Sequence, residues 1–161
     1  MNPIGRIGEV GILKIWGDAD GILTNLIQLF YKNDPDRRGG YLTVLDRYGG
    51  TYTVIGIGQI PKLQSERCFR LSLEKCNRLA SHPNHLSSWQ SRNPNEGKWG
   101  GAISTGQYIL SFSGLSEPGD EALVLMLSSF LCWYSLDDIK DTARISSNTF
   151  FLKLYSEYGK A

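Results

Sequence analysis

The run Trp99-Gly-Gly-Ala-Ile-Ser-Thr-Gly-Gln-Tyr-Ile-Leu-Ser-Phe-Ser-Gly-Leu-Ser-Glu-Pro-Gly-Asp-Glu-Ala122 constrains the fold more than any other part of the chain. Ala102 and Ile103 lead into Ser104-Thr-Gly-Gln107, a turn of small and polar residues. Tyr108, Leu110 and Phe112 then alternate with Ile109, Ser111 and Ser113, the period of two that gives a strand two distinct faces. Ser116-Glu-Pro-Gly-Asp120 breaks that strand, and Asp120 and Glu121 supply helix-starting chemistry, with Asp120 as the expected N-cap. The spacing predicts strands over 101–105 and 108–113 and a helix over 120–134. That helix is apolar nearly all round, so it must be covered on more than one side.

A second hairpin stands earlier in the chain. Residues 41–46 and 51–59 are β-rich runs joined by Arg47-Tyr-Gly-Gly50. Gly56 and Gly58 leave one face of the second run shallow, where another element can come close. Before the hairpin, 9–16 alternates loosely and reads as a first strand, Gly17-Asp-Ala-Asp-Gly21 as a turn, and 19–31 as a helix with an apolar stripe. After it, 64–81 is helical, with Phe69, Leu73, Cys76 and Ala80 on one face and Arg67, Arg70, Glu74, Lys75 and Arg78 on the remainder. Residues 86–98 form the longest irregular region, of the kind that often carries function. Ser135-Leu-Asp-Asp138 opens a further helix, and Phe150 to Tyr158 gives a last amphipathic one. The expected order is β-α-β-β-α-loop-β-β-α-α. This is an α+β fold with a single antiparallel sheet of about five strands flanked by helices.

Composition sets the outer limits. A chain of 161 residues with 41% apolar and 20% charged residues suits one domain over 1–161, of which 135–161 reads as a helical C-terminal extension. A net charge of +1 provides no field for nucleic acid, so none is expected as partner. Cys68, Cys76 and Cys132 form no Cys-x-x-Cys pair, and an odd count suits reduced thiols. The segment 1–8 lacks a basic stretch followed by an apolar run, so no signal peptide is expected, and the apolar stretch 122–127 is too short for a membrane span. A cytoplasmic location is the expectation.

Four features resemble the haem-binding HbpS/GlcG-type family. Leu42-Thr-Val-Leu-Asp-Arg-Tyr-Gly-Gly50 is similar to that family's apolar strand ending in an acidic residue and a glycine turn. Leu73-Glu-Lys-Cys76 lies where the family has a helix with a Lys-Ala pair. Gly100-Gly-Ala-Ile103 resembles its Gly-Gly lead into the next hairpin, and Ser113-Gly-Leu-Ser-Glu-Pro-Gly-Asp-Glu121 its strand end, loop and Asp-Glu helix start. The resemblance spans about 20–131. It implies a profilin-like fold and a flat tetrapyrrole such as haem, or another small ligand.

The chemistry-bearing residues each have a plainer reading beside the functional one. His82 and His85, spaced i, i+3, are the candidate haem ligands, but Pro83 between them argues for a helix end followed by a loop. Asp120 and Glu121 are candidates to hold polar groups of a ligand, while capping and the helix dipole give the simpler account. Trp89, Arg92, Lys98 and Trp99 are candidates to stack on or pair with a flat ligand or a protein partner, and the same residues can close over the core. No nucleophile elbow, phosphate loop or metal-ligand spacing is present. The resulting expectation is a non-enzymatic small-ligand-binding module with its cleft between 82–99 and the helix at Asp120. The other expectation is an interaction protein that assembles with itself or a partner through its apolar helices, Phe151 and Tyr155 included.

Overall fold

The structure is a computed structural model that describes residues 9–159. The reading of 1–8 as carrying no leader lies outside the described residues. In order, the elements are α1 (Glu9–Phe30), β1 (Gly39–Asp46), β2 (Thr51–Gly58), α2 (Ser65–Ala80), β3 (Ala102–Ser104), β4 (Tyr108–Ser113), α3 (Glu117–Phe130), α4 (Leu136–Ile145) and α5 (Thr149–Tyr158). The fold class is α+β, with one open antiparallel sheet ordered β2-β1-β4-β3. Among the described residues it has four strands rather than five.

The missing strand is the segment 9–16, which opens the 22-residue helix α1. Val10, Ile12, Leu13 and Ile15 are compatible with a strand, but the longer register Ile15, Ala19, Ile22, Leu23 and Leu26 is helical, and all five of those residues are buried. Gly17 and Gly21, read as a turn, lie on this helix with nothing near the Cβ positions they lack. Each glycine costs about 1 kcal/mol of helix propensity, and the buried stripe outweighs it.

Both hairpins form as the alternation predicts. Leu42, Val44, Leu110 and Phe112 join one hydrophobic cluster with α1, α3 and the C-terminal helices, while Leu45, Ile109 and Ala102 pack with Cys76 and Leu79 of α2 on the other face. The sheet is therefore covered by α1 and α3 on one side and α2 on the other.

Two helices, α3 and α2, differ from expectation in ways that matter for the site. α3 begins at Glu117 with Ser116 as N-cap and Pro118 in its first turn, so Asp120 is inside the helix rather than capping it. α2 is rotated from the expected apolar face: Cys68, Ser72, Lys75, Cys76, Arg78 and Leu79 are buried, and Phe69 is 42% exposed. Finally, α3 is covered within the chain. Its residues Gly119 to Ser128 are all buried, and Ile139, Ala143, Phe151 and Leu154 of α4 and α5 belong to the same core. Phe151, at 1% exposed, is thus a core residue, while Leu13, Trp16, Phe130, Leu152 and Tyr158 keep apolar surface exposed on the helices. No helix among the described residues is long and apolar enough to cross a membrane.

Candidate functional site

α2 and the β4–α3 turn meet at a buried ion pair. Lys75 Nζ donates to Asp120 Oδ2 at 2.9 Å and to the Phe112 carbonyl at 2.8 Å. The other carboxylate oxygen of Asp120 accepts from the Leu115 backbone N–H at 2.8 Å. Lys75 is 1% exposed and Asp120 3%, so both charges depend on these contacts for the solvation they have lost. Burial pushes the Asp120 carboxyl up to about 6, against the pull of Lys75 and the Leu115 amide. The backbone crosses closely over this pair at Gly101, where φ is +123° and a Cβ would stand 2.7 Å from Lys75 Nζ and 2.9 Å from Asp120 Cβ. The Gly-Gly lead into the second hairpin thus has a physical cause: only glycine lets the chain pass there.

A cavity of about 250 Å³ lies over the pair, walled by Arg37, Arg67, Cys68, Trp99, Ser113 and Ser116 among others. Glu117 stands at its rim, held bidentately by Arg92 at 2.7 and 2.9 Å and by the Gly100 N–H at 2.8 Å. Arg37 donates one bond, to the Leu115 carbonyl at 3.0 Å. Ser116 shares a 2.5 Å hydrogen bond with the Tyr31 hydroxyl, whose pKa burial pushes up to about 12. Ser113 is 4% exposed, and neither its hydroxyl nor the Arg67 guanidinium has a hydrogen-bond or ion-pair partner among the described residues. Burial raises the Cys68 thiol, which keeps it protonated.

The candidates read from the sequence divide among three places. Trp99 and Asp120 border this cavity. Trp89 and Glu121 border a separate pocket of about 50 Å³ beside Asn148. His82, Arg92 and Lys98 line an open groove between α2 and the 93–98 turn. The tryptophans take a cation, but it is the chain's own: the Arg92 guanidinium lies 4.8 Å from the Trp89 ring and 5.8 Å from that of Trp99. Lys98 pairs with Glu96 at 3.0 Å. Glu121, fully buried, faces away from Asp120. It accepts from the Ser87 hydroxyl at 2.6 Å, from the Ser146 hydroxyl and from Asn148 Nδ2 at 3.1 Å. Burial raises its pKa, and those three donors pull it part of the way back.

The two histidines are not placed to hold one iron ion between them. The His82 and His85 rings are stacked, with centroids 4.6 Å apart and an 11° angle between planes. An iron ion lies in the plane of an imidazole it binds, and stacked planes do not meet on one ion. His82 Nδ1 is also 2.7 Å from the Arg78 carbonyl, to which it donates. The cavity at the Lys75–Asp120 pair is below the roughly 300–1,000 Å³ of ordinary drug-sized clefts, too small for a tetrapyrrole. Among the described residues no group of three or more His, Cys, Asp or Glu side chains is placed to hold a metal ion.

Two residues central to this architecture were assigned to the polar side of α2. One is Lys75. The other is Arg78, which binds Glu74 at 3.0 Å, the Ser88 carbonyl at 2.9 Å and the Trp99 carbonyl, and so fixes both ends of the 88–99 segment. The one pointer to Lys75 was the family's Lys-Ala pair at Lys75-Cys76. No protein-family model, curated protein or solved structure matches the chain.

Proposed function

We propose that the chain is a non-enzymatic binding module, on a profilin-like frame, that takes a small acid in the cavity over the Lys75–Asp120 pair. The observation that carries this reading is the state of the polar groups around the cavity. Its two carboxylates are already matched, Asp120 by Lys75 and Glu117 by Arg92. Its unmatched groups are donors: Arg67, the Ser113 hydroxyl and the remaining N–H groups of Arg37. A carboxylate or similar anion of few heavy atoms fits that donor set and the volume of about 250 Å³. The same inventory supports binding. Asp120 is held at both oxygens, and the Cys68 thiol is protonated.

Titration of the protein with small mono- and dicarboxylates and with inorganic phosphate, followed by amide chemical shifts, tests this. Saturable shifts are expected at residues 67–75 and 113–120, weakened tenfold or more by Arg67→Gln and less by Ser113→Ala. Shifts that are absent at millimolar anion, or that persist unchanged in Arg67→Gln, overturn the reading.

A further inference from the structure

The two edges of the sheet are finished differently. On β3 the outward-facing amides are satisfied by the preceding segment: Ala102 N–H donates to Ser88 Oγ at 3.0 Å, and Ser104 N–H to the Leu86 carbonyl at 2.9 Å. Among the described residues β2 has no such cover. Arg47 N–H donates to the Gln107 carbonyl at 2.8 Å, which directs the odd residues of β1 to β4 and the even ones to β2. Their partners across the hairpin are Thr51, Thr53, Ile55 and Ile57. The bond from Gln59 N–H to the Arg38 carbonyl, 3.0 Å, continues the same alternation. Tyr52, Val54 and Gly56 therefore turn their N–H and C=O groups outward, and nothing among the described residues bonds to them. The strand, Thr-Tyr-Thr-Val-Ile-Gly-Ile-Gly, contains no charge and no proline, the usual guards of an exposed edge.

We propose that β2 is where two copies of this chain join, antiparallel about a two-fold axis at Ile55, merging their sheets into one. The occupant is argued from the strand's own sequence. Rotation about Ile55 sets Val54 opposite Gly56 of the second copy and Tyr52 opposite its Gly58, so each large residue meets a glycine on the α2 side of the sheet. The hollow at Gly56 has apolar walls, since a Cβ there would lie 3.3 Å from Ile60 Cδ1 and 3.6 Å from Tyr41. Phe69, half exposed and edge-on to Tyr41 at 5.3 Å, extends that apolar surface. On the α1 side Ile55 meets Ile55, and Thr53 meets Ile57. The outward groups of Val54 pair with those of Gly56 on both sides of the axis, and an uncharged strand brings no like charges together. One open edge per chain also fixes the size of the assembly. The pairing is isologous and closes as a dimer, because β3 offers no second edge from which a filament could grow.

Light scattering across micromolar concentrations should give twice the chain mass. Gly56→Lys, whose side chain starts from an exposed position, should halve that mass without changing the circular dichroism spectrum. Val54→Pro removes one outward N–H and should do the same; if the proline disturbs β2 itself, Gly56→Lys decides. The register is read by cross-linking in a Cys132→Ser background, which removes the exposed thiol and leaves Cys68 and Cys76 buried. Across the axis the two Ile55 positions form a non-hydrogen-bonded pair with Cα atoms about 4.5 Å apart, so Ile55→Cys should form a disulfide dimer under mild oxidation. Thr53→Cys, which faces Ile57, should not. A monomeric parent protein, or a dimer that survives Gly56→Lys and fails to cross-link through Ile55→Cys, overturns the proposal.

Discussion

Lys75 is the residue on which the centre of the molecule depends. Its charge is 45 residues from its partner in sequence and wholly buried, joined to Asp120 and to the Phe112 carbonyl near the end of β4. Removing one member of such a pair strands the other charge out of water, which costs about 3–5 kcal/mol. Lys75→Met is accordingly expected to lose about that much in urea denaturation, and Lys75→Met with Asp120→Asn to recover at least half of it. Asn retains the oxygen that accepts from Leu115. If the double variant is no more stable than the single, the ion pair is not what organises this crossing. Lys75 was hard to read from sequence for a physical reason. Lysine is almost never fully buried unless paired, and nothing local to α2 marks a partner on another helix. Asp120 and Glu121 were legible as significant because acidic residues opening an apolar helix stand out, although their separate surroundings were not.

At the level of elements, the hairpins were readable because alternation and glycine turns are local signals, carried within Tyr108 to Phe112 and around Arg47-Tyr-Gly-Gly50. The segment 9–16 was not, because a short apolar run fits both periods and only the continuation to Leu26 separates them. The caps of the C-terminal helices follow local rules but differ in depth. Ser135 Oγ accepts from Asp138 N–H at 3.1 Å on the surface of α4. Asn148, 3% exposed, accepts from Phe151 N–H at 2.9 Å and also donates to the Pro118 carbonyl at 3.0 Å and to Glu121. An exposed cap is worth about 1 kcal/mol, and a buried one adds the cost of the groups left without partners. Asn148→Ala should therefore lower unfolding free energy by about 2 kcal/mol or more, at least 1 kcal/mol beyond Ser135→Ala. Equal losses would mean that Asn148 serves α5 alone.

For the molecule as a whole, the sign of one pH dependence follows from Glu121. Its carboxylate is fully buried with three neutral donors and no cation, and burial raises its pKa above the ordinary value. An acid raised by folding favours the native state in its protonated form. That contribution is complete below the unfolded value, near about 4.3, and is lost as pH rises through the folded one. The parent protein should gain stability relative to Glu121→Gln on going from mildly alkaline to mildly acidic buffer, measured by denaturant melts at each pH. A parallel pair of curves would contradict it. The glutamine can still accept from Asn148 and donate to the Ser87 oxygen, so the variant isolates the charge.

The same side chain has a consequence for how the native molecule opens. Glu121 gathers Ser87 from the segment before β3, and Ser146 and Asn148 from the link between α4 and α5, three places brought together only in the finished fold. Neither segment can leave without stranding a buried carboxylate, so breathing of one is thermodynamically tied to breathing of the other. The amides of Ala102 and Ser104, sealed by Ser88 and Leu86, then share one opening free energy with that of Phe151 at the start of α5, across a sequence gap that no hairpin or helix spans. The rim of the sheet and the last helix make up a single cooperative unit of local unfolding.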